Sequence, residues 1–510
     1  MKLSELVGGE PDLLIQGDWA TEVSGLGYDS RRVMPGDLFF SLARDREQNR
    51  ANIEEALARG ARALVVKGRE DGSARPAATV VRCERPRRLM GVAAAHFFDT
   101  PSRRLDLIGV TGTSGKTTTT YLLASIFEAC GAPAGIIGTV GIFVGPRKIY
   151  GGLTTPESAD FEAALAQMER AGVRRAAAEI SSIGLAEERV EELNFRACVL
   201  TNLGRDHLDY HRTEENYFAA KLRLFTELLP KSSHRDAFAV VRGDDPFGQR
   251  VLGAVKGRAI SFGLARGLDV YPMNVSIGTD GIRASIAALG KRIEVRSPLL
   301  GEINLLNILG ASAVSVALGI EADVVAEGLR RCPGAPGRLE AVPGPPGTAV
   351  LVDYAHKPDA LEAVLRALRA LNPRRLVCVF GCGGDRDRGK RPLMGEIAGR
   401  MAHLAILTSD NPRSEDPHAI IADVEAGLKA ADLGRIAPAE VGRKPGYLVE
   451  PDRRAAIALA LGLVTAGDIV VIAGKGHEDY QLVAGRRLDF DDRAVVRELM
   501  AESSRQMPGA

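Results

Sequence analysis

Short apolar runs alternate along this chain with stretches in which apolar positions recur every third or fourth residue. Runs of the first kind predict buried strands and stretches of the second kind predict amphipathic helices, so the alternation predicts repeated βα units and parallel sheets. The runs Ala63 to Val66 and Thr79 to Cys83 fall in a small N-terminal α/β unit that ends near Pro101. The run Leu105 to Val110 opens a second unit, which continues through Ala176 to Ile180, Ala197 to Leu203 and Phe238 to Val241. Between Leu268 and Ile293 short alternating strands predict an antiparallel insertion. The proline- and glycine-rich segment Cys332 to Gly347 reads as a linker. Beyond it, Ala349 to Val352, Leu376 to Phe380, Leu404 to Thr408 and Ile469 to Ala473 are separated by helical patterns such as Ala360 to Leu371 and Arg453 to Leu463. That is the pattern of a doubly wound α/β domain. Ser503 to Ala510 reads as a frayed tail.

Composition narrows the partners. Of the 510 residues 45% are hydrophobic and 26% charged, as in ordinary globular proteins, and the length calls for several domains. Sixty-six basic and 65 acidic residues leave a net charge of +1, which offers no footprint for a nucleic-acid partner. The six cysteines form no CxxC pair, which suits a reducing compartment. Met1 to Gln16 carries Glu5, Glu10 and Asp12, unlike a secretory signal, and no apolar stretch is long enough for a membrane span. The expectation is a cytoplasmic protein without a membrane span, and a monomer.

The strongest local signal is Gly112-Thr113-Ser114-Gly115-Lys116-Thr117, directly after a predicted strand and before the helical stretch Thr118 to Cys130. Glycines there let backbone N–H groups converge on phosphate oxygens, and the helix N-terminus adds a favourable field. Lys116 would neutralise the β- and γ-phosphates of ATP, and the Thr117 hydroxyl would bind Mg²⁺. Downstream, Glu179 and His207 stand at the C-terminal ends of predicted parallel strands, where a carboxylate and an imidazole suit a second divalent metal. Each could equally be a satisfied polar group. In Tyr217 to Phe225 helical spacing puts Phe218, Leu222 and Phe225 on one face with Lys221 beside them. A bare ammonium buried there is costly, the alternative being a side chain that snorkels to solvent.

The stretch Thr111 to Thr118 resembles the TGTxGKTT phosphate loop of the Mur ligase family, a group that includes folylpolyglutamate synthases, and ordered blocks of resemblance span nearly the whole chain. The resemblance implies three α/β domains: a small UDP-binding domain (1–101), a central P-loop ATPase-type parallel-sheet domain (102–332) and a doubly wound, Rossmann-like amino-acid-binding domain (333–510). It implies an ATP-dependent ligase of peptidoglycan precursor synthesis working through an acyl phosphate. Gly112, Thr113, Ser114, Gly115, Lys116, Thr117 and Thr118 would hold ATP. The lysine matching Lys221 in the YFxAK segment is carbamylated by CO₂ in the family, and with Thr117, Glu179 and His207 it would hold Mg²⁺. Asn304 and Asn307 of the GEINLLN block lie near adenine by resemblance, though an ordinary helix N-terminus explains their spacing almost as well. Arg338 of GRLE would face the ATP phosphates, and Asp353 and His356 of DYAH would lie beside the nucleotide.

For the acceptor, a UDP-muramoyl dipeptide, the resemblance points to Ser30, Thr154, Thr155, Ser181 and Arg189, with Ile183 and Glu187 standing where the family pattern has His and Gln. For the amino acid it points to three post-strand loops that should converge: one carrying Arg386, one carrying Asp410-Asn411-Pro412-Arg413 and one carrying Gly474 and Glu478. DNPR resembles the version in diaminopimelate-adding members. Arg386 and Arg413 can fork onto carboxylates and Glu478 can receive an ammonium of meso-diaminopimelate. A lysine-adding ligase, a folylpolyglutamate synthase and a non-catalytic binding protein are the alternatives. Closure of the third domain is expected to bring amine and acyl phosphate together.

Overall fold

The structure is a computed structural model that describes residues 1–68, 78–204, 206–444 and 446–506. The chain forms two compact units, one of residues 1–272, 286–293 and 306–328, the other of residues 273–285, 294–305 and 329–510.

In the first unit, the N-terminal sheet runs in the order Leu14–Gln16, Thr79–Cys83, Ala63–Lys67, Asp37–Phe40, Gly25–Gly27, parallel except for its first, antiparallel edge. A larger sheet follows, ordered Arg258–Phe262, Phe238–Arg242, Ala197–Leu200, Asp106–Thr111, Arg175–Glu179, Ala134–Gly138. These six strands are all parallel, and Gly141–Val144 and Arg147–Tyr150 extend one edge as an antiparallel meander. Parallel strands covered on both faces need apolar residues at nearly every position, which is why Ala197–Leu200 is buried throughout. The predicted strand through Leu203 stops at Leu200, and the Thr201 and Asn202 side chains beyond it bond Ser114. Two helices, Pro86–Phe97 and Ser158–Arg170, pack together and bury Glu162 to 1% exposure. Burial, with Glu192 as a lesser cause, pushes the Glu162 carboxyl up to about 8.

The predicted antiparallel insertion corresponds to the strands Val270–Gly278, Gly281–Ala288 and Lys291–Ser297. The last alternates buried and exposed positions, as a sheet wet on one face must.

The second unit holds a sheet ordered Glu340–Val342, Ala349–Asp353, Ile469–Ala473, Leu376–Phe380, Leu404–Leu407, Tyr447–Val449, parallel apart from its first edge. Part of the expected linker is therefore sheet: Glu340–Val342 pairs antiparallel with Ala349–Asp353 and buries Val342. The expected frayed tail is also corrected. The helix Asp492–Gln506 includes residues 503–506, and its Glu498 and Glu502 pair with Arg454 of the helix Arg453–Leu463. Residues 507–510 lie outside the described part. No helix among the described residues is long and apolar enough to cross a membrane.

Candidate active site

The strand Asp106–Thr111 lies between Ala197–Leu200 and Arg175–Glu179, where the strand order reverses, so its C-terminal end opens on the crevice that α/β sheets offer to ligands. Gly112 leaves that strand at φ 148°, and a Cβ there would meet Thr201 Oγ1. Gly115, at φ 85°, precedes the helix Lys116–Ala129 with its face against the Asn307 amide, again leaving no room for a side chain. The N-cap, Gly115, has no side chain to cap this helix, and a helix N-terminus at the end of such a loop is the kind of place that takes phosphate oxygens. The loop is braced from the neighbouring strand: Ser114 N donates to Asn202 Oδ1 (3.0 Å) and Thr201 Oγ1 donates to Ser114 O (2.6 Å). Lys116 Nζ folds back onto Gly112 O (2.7 Å) and Thr113 O (3.0 Å), and Thr117 and Thr118 are buried in the first helical turn.

Lys221 does not snorkel. It is 2% exposed on the helix Glu214–Arg223, which Thr213 caps by accepting from Asn216 N (3.1 Å). Its Nζ donates to Gly112 O (3.0 Å) and lies 4.6 Å from the Tyr217 ring centroid. Burial, and next the Lys116 charge, hold its pKa well below the ordinary lysine value against the pull of Asp206, which favours the free amine. Glu179, 1% exposed, accepts from Thr139 N (2.9 Å) and Thr139 Oγ1 (3.0 Å). His207 sits at φ 53° with Nε2 3.4 Å from Asp206 Oδ2. Among the described residues no three His, Cys, Asp or Glu side chains gather as a ready-made metal site.

Four of the five predicted acceptor residues meet beside Glu179. Thr155 Oγ1 donates to Glu179 O (2.9 Å) and accepts from Ser181 N (2.9 Å). Thr154 Oγ1 shares a hydrogen bond with Thr139 Oγ1 (3.1 Å), and Arg189 Nη1 donates to Thr155 O (3.1 Å). Ser181 caps the short helix Ser182–Ala186. Ser30, by contrast, is buried with its hydroxyl donating to Glu55 Oε2 (2.6 Å). Nearby, Arg87 pairs with both Glu157 and Glu187, and Arg44 and Tyr210 also bond Glu187. Burial raises the Glu187 carboxyl, but the Tyr210 hydrogen bond and the charges of Arg87, Arg44 and Arg189 outweigh it and hold it below the usual range.

In the second unit the three predicted loops do converge. They follow Leu376–Phe380, Leu404–Leu407 and Ile469–Ala473, which are neighbours in the sheet. Gly384 N donates to Asn411 O (2.9 Å), Arg413 Nη1 donates to Gly384 O (2.7 Å), and Asn411 Nδ2 donates to Glu478 Oε2 (2.9 Å). Asp385 and Arg413 hold positive φ (51° and 55°), a strained backbone of the kind that clusters at ligand sites. Asp410 is buried, Gly474 turns at φ 119°, and Arg386 is exposed with Nη1 on Asp385 O (3.0 Å). Pro412 cannot donate from its backbone, and its carbonyl packs against Gly384.

The GRLE and DYAH blocks meet as well. Asp353 accepts from Leu339 N (2.8 Å) and Ala355 N (2.8 Å), and burial raises its pKa against the pull of Arg338. The Arg338 guanidinium lies 4.9 Å from the Tyr354 ring centroid. His356, pushed down to about 4 by burial, shares Nδ1 with Tyr354 O (2.9 Å). Asn304, on the helix Glu302–Ala317, donates to Leu300 O (2.9 Å). Sequence reasoning did not single out Thr139, Asn202 or Lys475. Lys475 carried a signal, as a cation between Gly474 and Gly476 in a post-strand loop.

A glycine-walled turn between a parallel strand and an uncapped helix, with Lys116 inside it, defines a phosphate-loop nucleotide-binding protein. Residues 110–315 match the family model described as Mur ligase middle domain, and residues 337–476 match the one described as Mur ligase, glutamate ligase domain. The chain belongs to the Mur ligase family of ATP-dependent ligases. It is 42% identical over 482 residues, 94% of each chain, to the UDP-N-acetylmuramoyl-L-alanyl-D-glutamate--2,6-diaminopimelate ligase of Solibacter usitatus. To the protein of that name from Geobacter sulfurreducens it is 42% identical over 97% of each chain. A solved structure of a ligase with the same name superposes with a TM-score of 0.69 at 33% identity, covering 99% of each chain.

Proposed function

We propose that this chain joins meso-diaminopimelate to UDP-N-acetylmuramoyl-L-alanyl-D-glutamate at the expense of ATP, in cytoplasmic peptidoglycan precursor synthesis. The observation that carries the reading is the interlocked loop cluster holding Asp410, Asn411, Arg413 and Glu478, found in a chain whose near-full-length relatives bear that ligase name. The proposed domains are 1–101 for UDP, 102–332 for ATP and 333–510 for the amino acid.

The acceptor's γ-carboxylate attacks the γ-phosphorus of ATP, ADP leaves, and the carboxyl becomes an acyl phosphate. The neutral amine of diaminopimelate then attacks the carbonyl carbon, inorganic phosphate leaves, and the amine nitrogen loses its proton. Lys116, the loop N–H groups and Arg338 offset charge on the transferring phosphoryl group. Asn304, Asn307, Asp353 and His356 line the nucleotide side, and Ser30, Thr154, Thr155, Ser181 and Arg189 hold the acceptor. Arg386 and Arg413 take carboxylates of the amino acid, and Glu478 an ammonium. Rejection of lysine rests on leaving Arg413 without its carboxylate, a penalty of roughly 1–3 kcal/mol when buried.

Mg²⁺ fits the donor set of Thr117, Glu179, His207 and a carbamate on Lys221, and when bound it supplies charge neutralisation on the phosphates. Burial of Lys221 beside Lys116 supports the carbamate, since the lowered pKa favours the free amine that takes up CO₂ and the modification puts an anion where a second cation would be repelled. The working state is proposed to be a monomer. The test is phosphate release with ATP, the UDP-dipeptide and a panel of amino acids. Release should require all three and favour meso-diaminopimelate over lysine, whereas release with ATP alone would defeat the reading.

A further inference from the structure

Lys475 is wholly buried, 0% exposed, in the loop that also carries Glu478. Its Nζ lies 3.3 Å from Asn411 Oδ1, 3.3 Å from Glu478 Oε2 and 3.8 Å from Asp410 Oδ1, with the Tyr480 ring centroid at 5.5 Å. Asn411 Oδ1 also accepts from Leu482 N (2.9 Å), so two donors fix that amide's orientation and turn its Nδ2 onto Glu478 Oε2. Among the described residues, Lys475 and Asn411 both meet the Glu478 carboxylate at Oε2, which leaves Oε1 to accept from a ligand ammonium.

The charges around this loop decide what it accepts. Two further buried cations in this unit have their own partners: Arg453 is matched by Asp492 in two bonds of 2.8 and 2.7 Å, and Arg391 by Glu415 and Asp423. Asp410 and Glu478 have Lys475 beside them, and the Lys390 ammonium and the Arg453 guanidinium also lie within electrostatic reach of Asp410. Removing Lys475 makes this loop one charge more negative, which favours a ligand end that carries an ammonium alone over one that carries an ammonium and a carboxylate.

We propose that Lys475 is a positioning and specificity-determining residue: it holds Glu478 by one oxygen and cancels one buried carboxylate charge, so that the site takes a zwitterionic amino-acid end rather than a bare amine. The proposal rests on the ligase reading above. Its test is steady-state kinetics of Lys475→Met and Lys475→Gln with meso-diaminopimelate and with L-lysine. The glutamine variant keeps hydrogen-bond donation without the charge and serves if the methionine variant folds poorly.

The expected result is a rise of about tenfold in KM for diaminopimelate and a fall of about tenfold in the diaminopimelate-over-lysine ratio of kcat/KM. KM for ATP and for the UDP-dipeptide should stay within about twofold, which a general structural defect would not respect. An unchanged ratio in a folded variant, or equal losses for all three substrates, overturns the proposal. If the parent protein itself does not use diaminopimelate, the ligase reading fails instead, so the two failures are distinguishable.

Discussion

Buried lysines show most directly what single residues contribute. An ammonium removed from water either finds partners or gives up its proton. Lys475 has partners in Asp410, Asn411 and Glu478, whereas Lys221 meets one carbonyl and one ring, and burial with the Lys116 charge pushes its pKa down. A neutral amine is the form that captures CO₂, so activity should fall in CO₂-depleted buffer and return on adding bicarbonate. Lys221→Ala should be inactive under both conditions, and a parent enzyme indifferent to bicarbonate would count against the carbamate. Lys116→Ala should lower kcat by about a thousandfold or more, read as phosphate release, with the fold intact by circular dichroism. The chemistry of Lys116 was legible in the sequence because a phosphate loop is a contiguous motif. That of Lys475 was not, because its partners come from two different loops.

At the scale of elements, helix packing places a carboxyl where no charge belongs. Ser158–Arg170 lies against Pro86–Phe97 and buries Glu162, whose pKa rises from 4.5 to about 8. A carboxyl raised by folding contributes its full stability below its unfolded value and loses it as pH climbs through the folded one. Glu162→Gln should therefore be more stable than the parent, by on the order of 3 kcal/mol at pH 9, with the gain shrinking to nothing toward pH 4. Thermal melts across that range would measure it, and a gain that did not change with pH would refute the assignment. Helical periodicity marked the apolar stripes of such elements well. It gave no sign of Glu162, because one glutamate among helical positions is normally solvated, and only the partner helix removes the water.

At the scale of the whole molecule, contacts between distant stretches of chain hold each unit together. In the second unit Arg453 and Asp492, both 0% exposed, form a buried pair, and Arg493 reaches back to Glu340 on the edge strand (3.4 Å). Asp492→Asn leaves the Arg453 guanidinium uncompensated and should cost about 3–5 kcal/mol, visible as a lower midpoint in urea. A shift under about 1 kcal/mol would mean that water reaches that arginine. Sequence alone determined the alternation of strand and helix, the phosphate loop and the family, because periodicity and contiguous motifs are local properties of a chain. Tertiary structure decided that Glu340–Val342 is sheet rather than linker, that Lys221 is buried, that Ser30 bonds Glu55, and that three loops lock around Asn411. Those outcomes depend on which water is excluded and which distant donor meets which acceptor, and both are settled only when the strands have taken their order in the sheets.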